Sequence, residues 1–324
     1  NVQTYNLCED AIEQNEFALQ YVNEQTNDLC LRAIRKNGLV IKCVNNQTNE
    51  LCNEAVKQYP LALMFVDEKY KSHELCMLAV TSCGLSLQYI DNPSHELCLE
   101  AVKNTGISIA YVHNQTLDIC EEAVKQDTIA ISYVKKPSKI LCTKAVKKNG
   151  LALECIPLLF RTDDICMLAV KQNGLALQYV ETQNNLICQT AVTQNGNALR
   201  FVDVQTNEIC MMAVTNDGMA LEFVLEQTTD ICVTAITQNC FALQFVENQT
   251  HELCMMAIKI NGLMLKVVDD QTYDLCLEAV KRNGNAICYI KNQTLELCKI
   301  AMQQNVKSFD WFNDDLKKHF ILSN

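Results

Sequence analysis

Apolar residues return along the chain in two alternating rhythms. In the first, Leu or Ile precedes a cysteine, alanine follows three residues later, and Val or Ile comes next, as in Leu51, Cys52, Ala55 and Val56. That spacing lines one face of a short α-helix. After a polar break comes a denser burst of small, aliphatic, polar, aromatic and aliphatic residues, such as Ala176-Leu177-Gln178-Tyr179-Val180, which predicts a second short helix. The pair recurs fourteen times, on Cys8, Cys30, Cys52, Cys76, Cys98, Cys120, Cys142, Cys166, Cys188, Cys210, Cys232, Cys254, Cys276 and Cys298, at intervals of 22 residues except for two of 24. One such unit cannot bury its own stripe, whereas stacked units share a continuous core. The expected fold is therefore all-α: an α-solenoid, a superhelical array of about fourteen 22-residue two-helix repeats, numbered 1 to 14 after these cysteines. The array is expected over residues 1–305, with a C-terminal capping helix over 306–324.

Fixed positions in the repeat have readable tasks. Four residues before each cysteine stands Thr, Ser or Asn, such as Thr26, Ser72 and Asn184, placed to cap the first helix. Two residues further on, eleven of the fourteen positions are acidic, which complements the helix dipole. Seven residues after the cysteine, eleven are Asn or Asp, predicting a row of half-buried amides that satisfy backbone groups at a turn. All nine glycines follow directly, as at Gly38 and Gly174, and suggest a helix end with positive φ; Pro60 at the same place requires a different turn. Eleven repeats carry Tyr, Phe or Trp near the end of the second helix, and this regular aromatic is expected in the core. A polar linker, often Asn-Gln-Thr, leads to the next cap.

The net charge of −11 argues against a nucleic-acid or anionic-membrane partner, because phosphate neutralisation needs clustered Lys and Arg. No run of eighteen apolar residues occurs, so no membrane span is expected. The register cysteines fall too far apart on stacked helices for disulfides and read as reduced core groups, which implies a cytoplasmic setting. The sequence opens at Asn1 in a linker without Met, so upstream residues are expected, and an uncapped first repeat would offer a surface for self-association.

The run Cys166-Met167-Leu168-Ala169-Val170-Lys171-Gln172-Asn173-Gly174-Leu175-Ala176-Leu177-Gln178-Tyr179-Val180 resembles the repeats of the domain of unknown function 4116. Its Leu-Cys and Asn-Gln-Thr versions resemble the giant-virus branch of that family. The resemblance implies a repeat fold and a viral source, with location in host cytoplasm or virion. It implies no catalytic residue and no cofactor.

Chemistry-bearing motifs are sparse. No two glycines lie closer than 22 residues, so no phosphate-binding loop is present. His73 with Cys76 and His95 with Cys98 have a spacing that zinc could use, but every repeat carries the cysteine with or without a histidine, so no metal site is expected. No base stands beside an activated nucleophile, and no enzymatic role is expected. The Asn-Gln-Thr triplets at Asn46, Asn114, Asn248 and Asn292 match the glycosylation pattern, but the capping Thr accounts for them.

Three irregularities are candidate partner-binding features. Methionines crowd the positions after the register cysteine at Met77, Met167, Met211, Met212, Met255 and Met256, where adaptable side chains suit protein binding or else fill gaps between helices. A basic group includes Lys135, Lys136 and Lys139 in an otherwise acidic chain. The inserted residues around 156–161 bring the apolar Leu158, Leu159 and Phe160 into a loop. The expected function is a non-catalytic helical-repeat scaffold that binds a protein partner in a virus-infected host cell. A structural or self-assembling component of a virion or filament is the alternative. An RNA-binding repeat ranks below both, because its aromatics would have to be exposed.

Overall fold

The structure is a computed structural model that describes residues 3–323, with side chains to Ile321. The described residues form helices and turns with no strand. Each repeat holds a ten-residue α-helix and a six-residue 3-10 helix, as Asn49–Gln58 with Pro60–Phe65 and Asn207–Asn216 with Gly218–Phe223. The fold is an all-α helical-repeat solenoid. The chain forms two compact bodies, Asn1–Arg161 and Thr162–Asn324. Within each body, the α-helix of one repeat packs on the α-helix of the next, and the 3-10 helices form a parallel layer.

The local chemistry explains the elements. Thr26 accepts from the Leu29 N–H and Ser94 from the Leu97 N–H, each cap supplying about 1 kcal/mol to a helix too short to persist alone. The residue after the α-helix is extended, and where it is Asn or Asp its side chain caps the 3-10 helix: Asn37 Oδ1 accepts from Leu39 N–H at 3.0 Å. The expected row of half-buried amides is therefore present, and it starts the second helix as well as ending the first. From Ala33 to Ala301 the register alanine is completely buried.

The glycines do not serve the expected purpose. No glycine has positive φ. What demands glycine is close approach: a Cβ on Gly38 would lie 2.3 Å from the Ala55 carbonyl oxygen, and one on Gly218 would lie 2.4 Å from that of Ala235. Glycine in one repeat and the buried alanine in the next thus let two backbones meet. Where Glu16, Pro60, Thr128 or Cys240 takes the position, the two neighbouring α-helices are in looser contact. The seam is further tied by a carboxamide at the end of the next α-helix. Gln238 Oε1 accepts from Gly218 N–H at 2.6 Å, and Asn216 Nδ2 donates to the Thr193 carbonyl at 2.8 Å.

A second set of ties runs through the linkers. In ten repeats the residue before the cap is Gln, and its carboxamide reaches the end of that repeat's second helix. Gln205 is representative: Nε2 donates to Phe223 O at 2.7 Å, and Oε1 accepts from Leu225 N–H at 3.0 Å. Gln3, Gln25, Gln47, Gln115, Gln183, Gln227, Gln249, Gln271 and Gln293 make the same pair of bonds, 18 and 20 residues ahead. The position departs from Gln only at Lys71, Pro93, Pro137 and Arg161, all in the first body. Lys71 keeps half the pattern, donating to Tyr89 O at 2.8 Å.

Two further expectations need correction. The aromatic row borders the core and does not lie inside it: Tyr21 is 73% exposed, Tyr133 47% and Trp311 57%, whereas Phe65 and Tyr89 are half-buried against the core, because the tight 3-10 turn buries the preceding small and aliphatic positions most deeply. The stretch over 306–324 is two elements. Val306–Trp311 is the 3-10 helix of repeat 14, and the terminal helix is Asp314–Ser323. It closes on the array through Phe312, whose ring lies 5.5 Å from Phe309 and 5.4 Å from Phe320.

Candidate functional site

The α-helices bury Leu or Ile, Cys, Ala and Val on one side, so the two residues after each register cysteine point toward the outer face, half-buried between neighbours. Met77, Met167, Met211, Met212, Met255 and Met256 all sit there. Met77 belongs to the first body and the others to the second. Part of the gap-filling reading is realised, since Leu78 packs on the core and Met256 Sδ receives the Thr237 hydroxyl at 3.8 Å.

In the second body the methionines join a wider feature. Through repeats 9, 10, 11 and 12 the outer positions of the α-helices read Gln189-Thr190, Met211-Met212, Val233-Thr234 and Met255-Met256, with Thr193, Thr215 and Thr237 one turn on. None is charged. The corresponding face of the first body carries Glu9, Asp10, Arg32, Glu54, Glu100, Glu121, Glu122 and Lys144. An open groove of about 520 Å³ lies along these positions, lined by Met211 and Met212 with Thr193, Thr215, Asn207, Asn216 and one carboxylate, Glu208. The methionine pairs alone understated this surface. The signal that would have found it is the absence of charge in register across four consecutive repeats.

The other candidates fare differently. Lys135, Lys136 and Lys139 are exposed, but much of the basic group is engaged in the scaffold. Lys125 pairs with Glu122 and Lys144 with Glu121, while Lys135 Nζ donates to the His113 carbonyl at 3.0 Å. Lys148 caps the end of the preceding α-helix at the Lys125 carbonyl. The insertion forms a single 3-10 turn, Leu158–Phe160, braced by Arg161, whose guanidinium donates to Ile156 O at 2.8 Å and Glu154 O at 3.1 Å. Leu159 is 83% exposed, Leu158 is exposed and Phe160 is half-buried.

The histidine and cysteine pairs do not converge. His73 and His95 lie on the surface and reach carboxylates of the next repeat, His95 Nε2 meeting Asp118 at 2.9 Å and His73 Nε2 meeting Glu96 at 3.5 Å. Cys76 and Cys98 face the core. Burial pushes the Cys30, Cys52 and Cys298 thiols up to about 11, which suits packing and opposes nucleophilic use. Among the described residues no three His, Cys, Asp or Glu side chains are grouped as a metal site, and no helix is long and apolar enough to cross a membrane.

Comparison with known proteins gives one family match and nothing finer. The profile of the domain of unknown function DUF4116 matches residues 49–93, 139–186 and 250–294. No curated protein matches the chain, and neither does any solved structure. Each matched stretch spans about two of the repeats described above, and the stretches between them carry the same caps, cysteine, alanine and second helix. Over these three stretches the chain matches DUF4116, and its repeats are similar to those of that family.

Proposed function

We propose that the chain is a non-catalytic scaffold that binds a protein partner along the uncharged outer face of repeats 9–12. The observation that carries this reading is the groove at Met211 and Met212, within four repeats whose two positions after the cysteine are all uncharged, whereas the same positions in the first body are mostly charged. Methionine side chains are flexible and polarizable, and an interface core depleted of charge and enriched in Met is the usual composition for protein binding. The resemblance of its repeats to giant-virus repeats supports a setting in an infected host cell.

Changing Met211→Glu and Met255→Glu together tests the proposal. Both positions are half-buried on the outer face, so the variant should fold with a thermal midpoint close to that of the parent. Proteins captured by the parent from host-cell extract should be lost, in keeping with a weakening of about 2 kcal/mol or more per central residue. An unchanged set of captured proteins refutes it.

The exposed members of the aromatic row support a second reading, single-stranded RNA, since bases stack on such rings. It predicts binding that weakens steeply with salt. No binding at low salt removes it.

A further inference from the structure

The linker glutamines define a binding pattern that the chain itself repeats ten times. Each carboxamide lies between two repeats, donating from Nε2 to a carbonyl oxygen and accepting at Oε1 from the N–H two residues further along. In Gln115 the distances are 2.9 Å to Tyr133 O and 2.8 Å from Lys135 N–H. The receiving pair is therefore a fixed backbone element, one acceptor and one donor, shaped for a planar primary amide.

One copy of that element stands without its amide. In repeat 5 the glutamine position is Pro93, which has neither donor nor acceptor on its side chain. The receiving pair, 18 and 20 residues ahead, is the Tyr111 carbonyl and the His113 N–H. No side chain among the described residues bonds either group, and both residues line a cavity of about 460 Å³ together with Leu87, Asn92 and Lys135. A second cavity of about 240 Å³ shares Asn92 and His113 and reaches Pro93. Lys71 and Pro137 do not leave the same vacancy. Lys71 fills its place with an ammonium donor, and the partner of Pro137 is Pro157, which has no N–H to offer.

The backbone at this point is also unusual. Asn92 has φ of 50°, and among the described residues it is the one non-glycine with positive φ. Asn tolerates the left-handed region better than most residues, but the conformation still has a cost and persists where the surroundings impose it.

We propose that the cavity between repeats 4 and 5 binds a primary carboxamide, the glutamine side chain of a partner peptide, on Tyr111 O and His113 N–H. The ligand amide takes the place that the chain's own glutamine takes in ten other repeats. The volume, within the usual range for ligand sites, accommodates the side chain and part of its backbone. A carboxylate is rejected, because its second oxygen would face the Tyr111 carbonyl with no proton between them. The site belongs to the first body and the methionine face to the second, and they share no residue, so the two proposals stand or fall separately.

The test uses the full chain, with backbone amide shifts followed by NMR during titration with N-acetyl-glutamine N-methylamide. The His113 amide should shift and saturate with a dissociation constant of about 1 mM, a reasonable strength for two hydrogen bonds in a half-enclosed site. N-acetyl-glutamate N-methylamide at neutral pH should leave it unmoved. Acetamide separates the possible sources: a peptide-borne ligand requires the capped residue to bind at least about tenfold more tightly than the free amide. Pro93→Gln supplies the missing side chain from within and should abolish binding, whereas Pro93→Ala cannot fill the site and should retain it. The proposal is overturned if the capped glutamine gives no saturable shift, if glutamate or acetamide binds as well, or if Pro93→Gln binds as the parent does.

Discussion

Replacing Gly218 by alanine probes the close approach on which the stacking rests. The added Cβ would lie 2.4 Å from the Ala235 carbonyl and 2.8 Å from Gln238 Oε1, where a real Cβ contact stays beyond 3.0 Å. The two backbones must part by more than half an ångström, in a seam that also holds the Gly218 N–H to Gln238 hydrogen bond. Overpacking of this kind costs about 1–3 kcal/mol, and straining one buried hydrogen bond adds about 1 kcal/mol. Loss of glycine's freedom in the unfolded chain returns about 0.4–1 kcal/mol. The net expectation is a destabilisation of about 1–3.6 kcal/mol.

Cys240→Ala is the internal control. Cys240 occupies the same register position one repeat later, and its seam already accepts a Cβ by holding the α-helices in looser contact. Removing only the sulfur should cost under about 1 kcal/mol. Because a repeat array need not unfold in one step, hydrogen exchange of the amides in repeats 10 and 11 is the appropriate readout, alongside urea unfolding. Gly218→Ala should speed exchange on both sides of its seam, and Cys240→Ala should leave it near the parent rate. A Gly218→Ala variant within about 0.5 kcal/mol of the parent, or a Cys240→Ala variant equally damaged, would refute the close-approach account.

Two further outcomes follow from the side-chain chemistry. Asp118 and Asp274 are held below the usual carboxylate range, first by hydrogen bonds from Thr116 and Thr272, with smaller help from backbone N–H groups and from His95 and His251. A carboxyl lowered in the folded state contributes stability that is complete above its unfolded value of about 3.9 and is lost as pH falls through the folded value. The thermal midpoint should therefore decline in that acid window, and less steeply in a variant carrying Asp118→Asn and Asp274→Asn; parallel declines would count against the assignment. Alkylation of the native protein followed by mass spectrometry should modify the half-exposed Cys43, Cys83, Cys155 and Cys288 first. Cys30, Cys52 and Cys298, buried and raised to about 11, should lag by orders of magnitude, and equal rates would contradict their placement in the core.

The repeat, its cap, its core stripe and its turn could be read directly from residue periodicity, because each depends on contacts within about one helical turn. What periodicity did not reveal was which neighbour each position meets across the seam. Gly38 looks like a helix end needing positive φ, yet its constraint comes from Ala55 in the next repeat. Gln205 reads as linker until its partners, 18 and 20 residues away, are known. The aromatic at Tyr133 has the regularity of a core residue, but the 3-10 geometry of its segment turns it outward. The candidate surface was half legible: Met211 and Met255 stand out as residues, whereas the uncharged face around them appears only once the α-helices are stacked in register.

Methionine oxidation footprinting bears most directly on the claim that this face is where a partner binds. The chain is exposed to dilute peroxide with and without the protein it captures from host-cell extract, and each methionine is quantified by mass spectrometry. Met211, Met212, Met255 and Met256 should be protected in the complex, while Met77 in the first body oxidises at the same rate in both samples. Protection of Met77 with unchanged oxidation across repeats 10–12 would contradict the account.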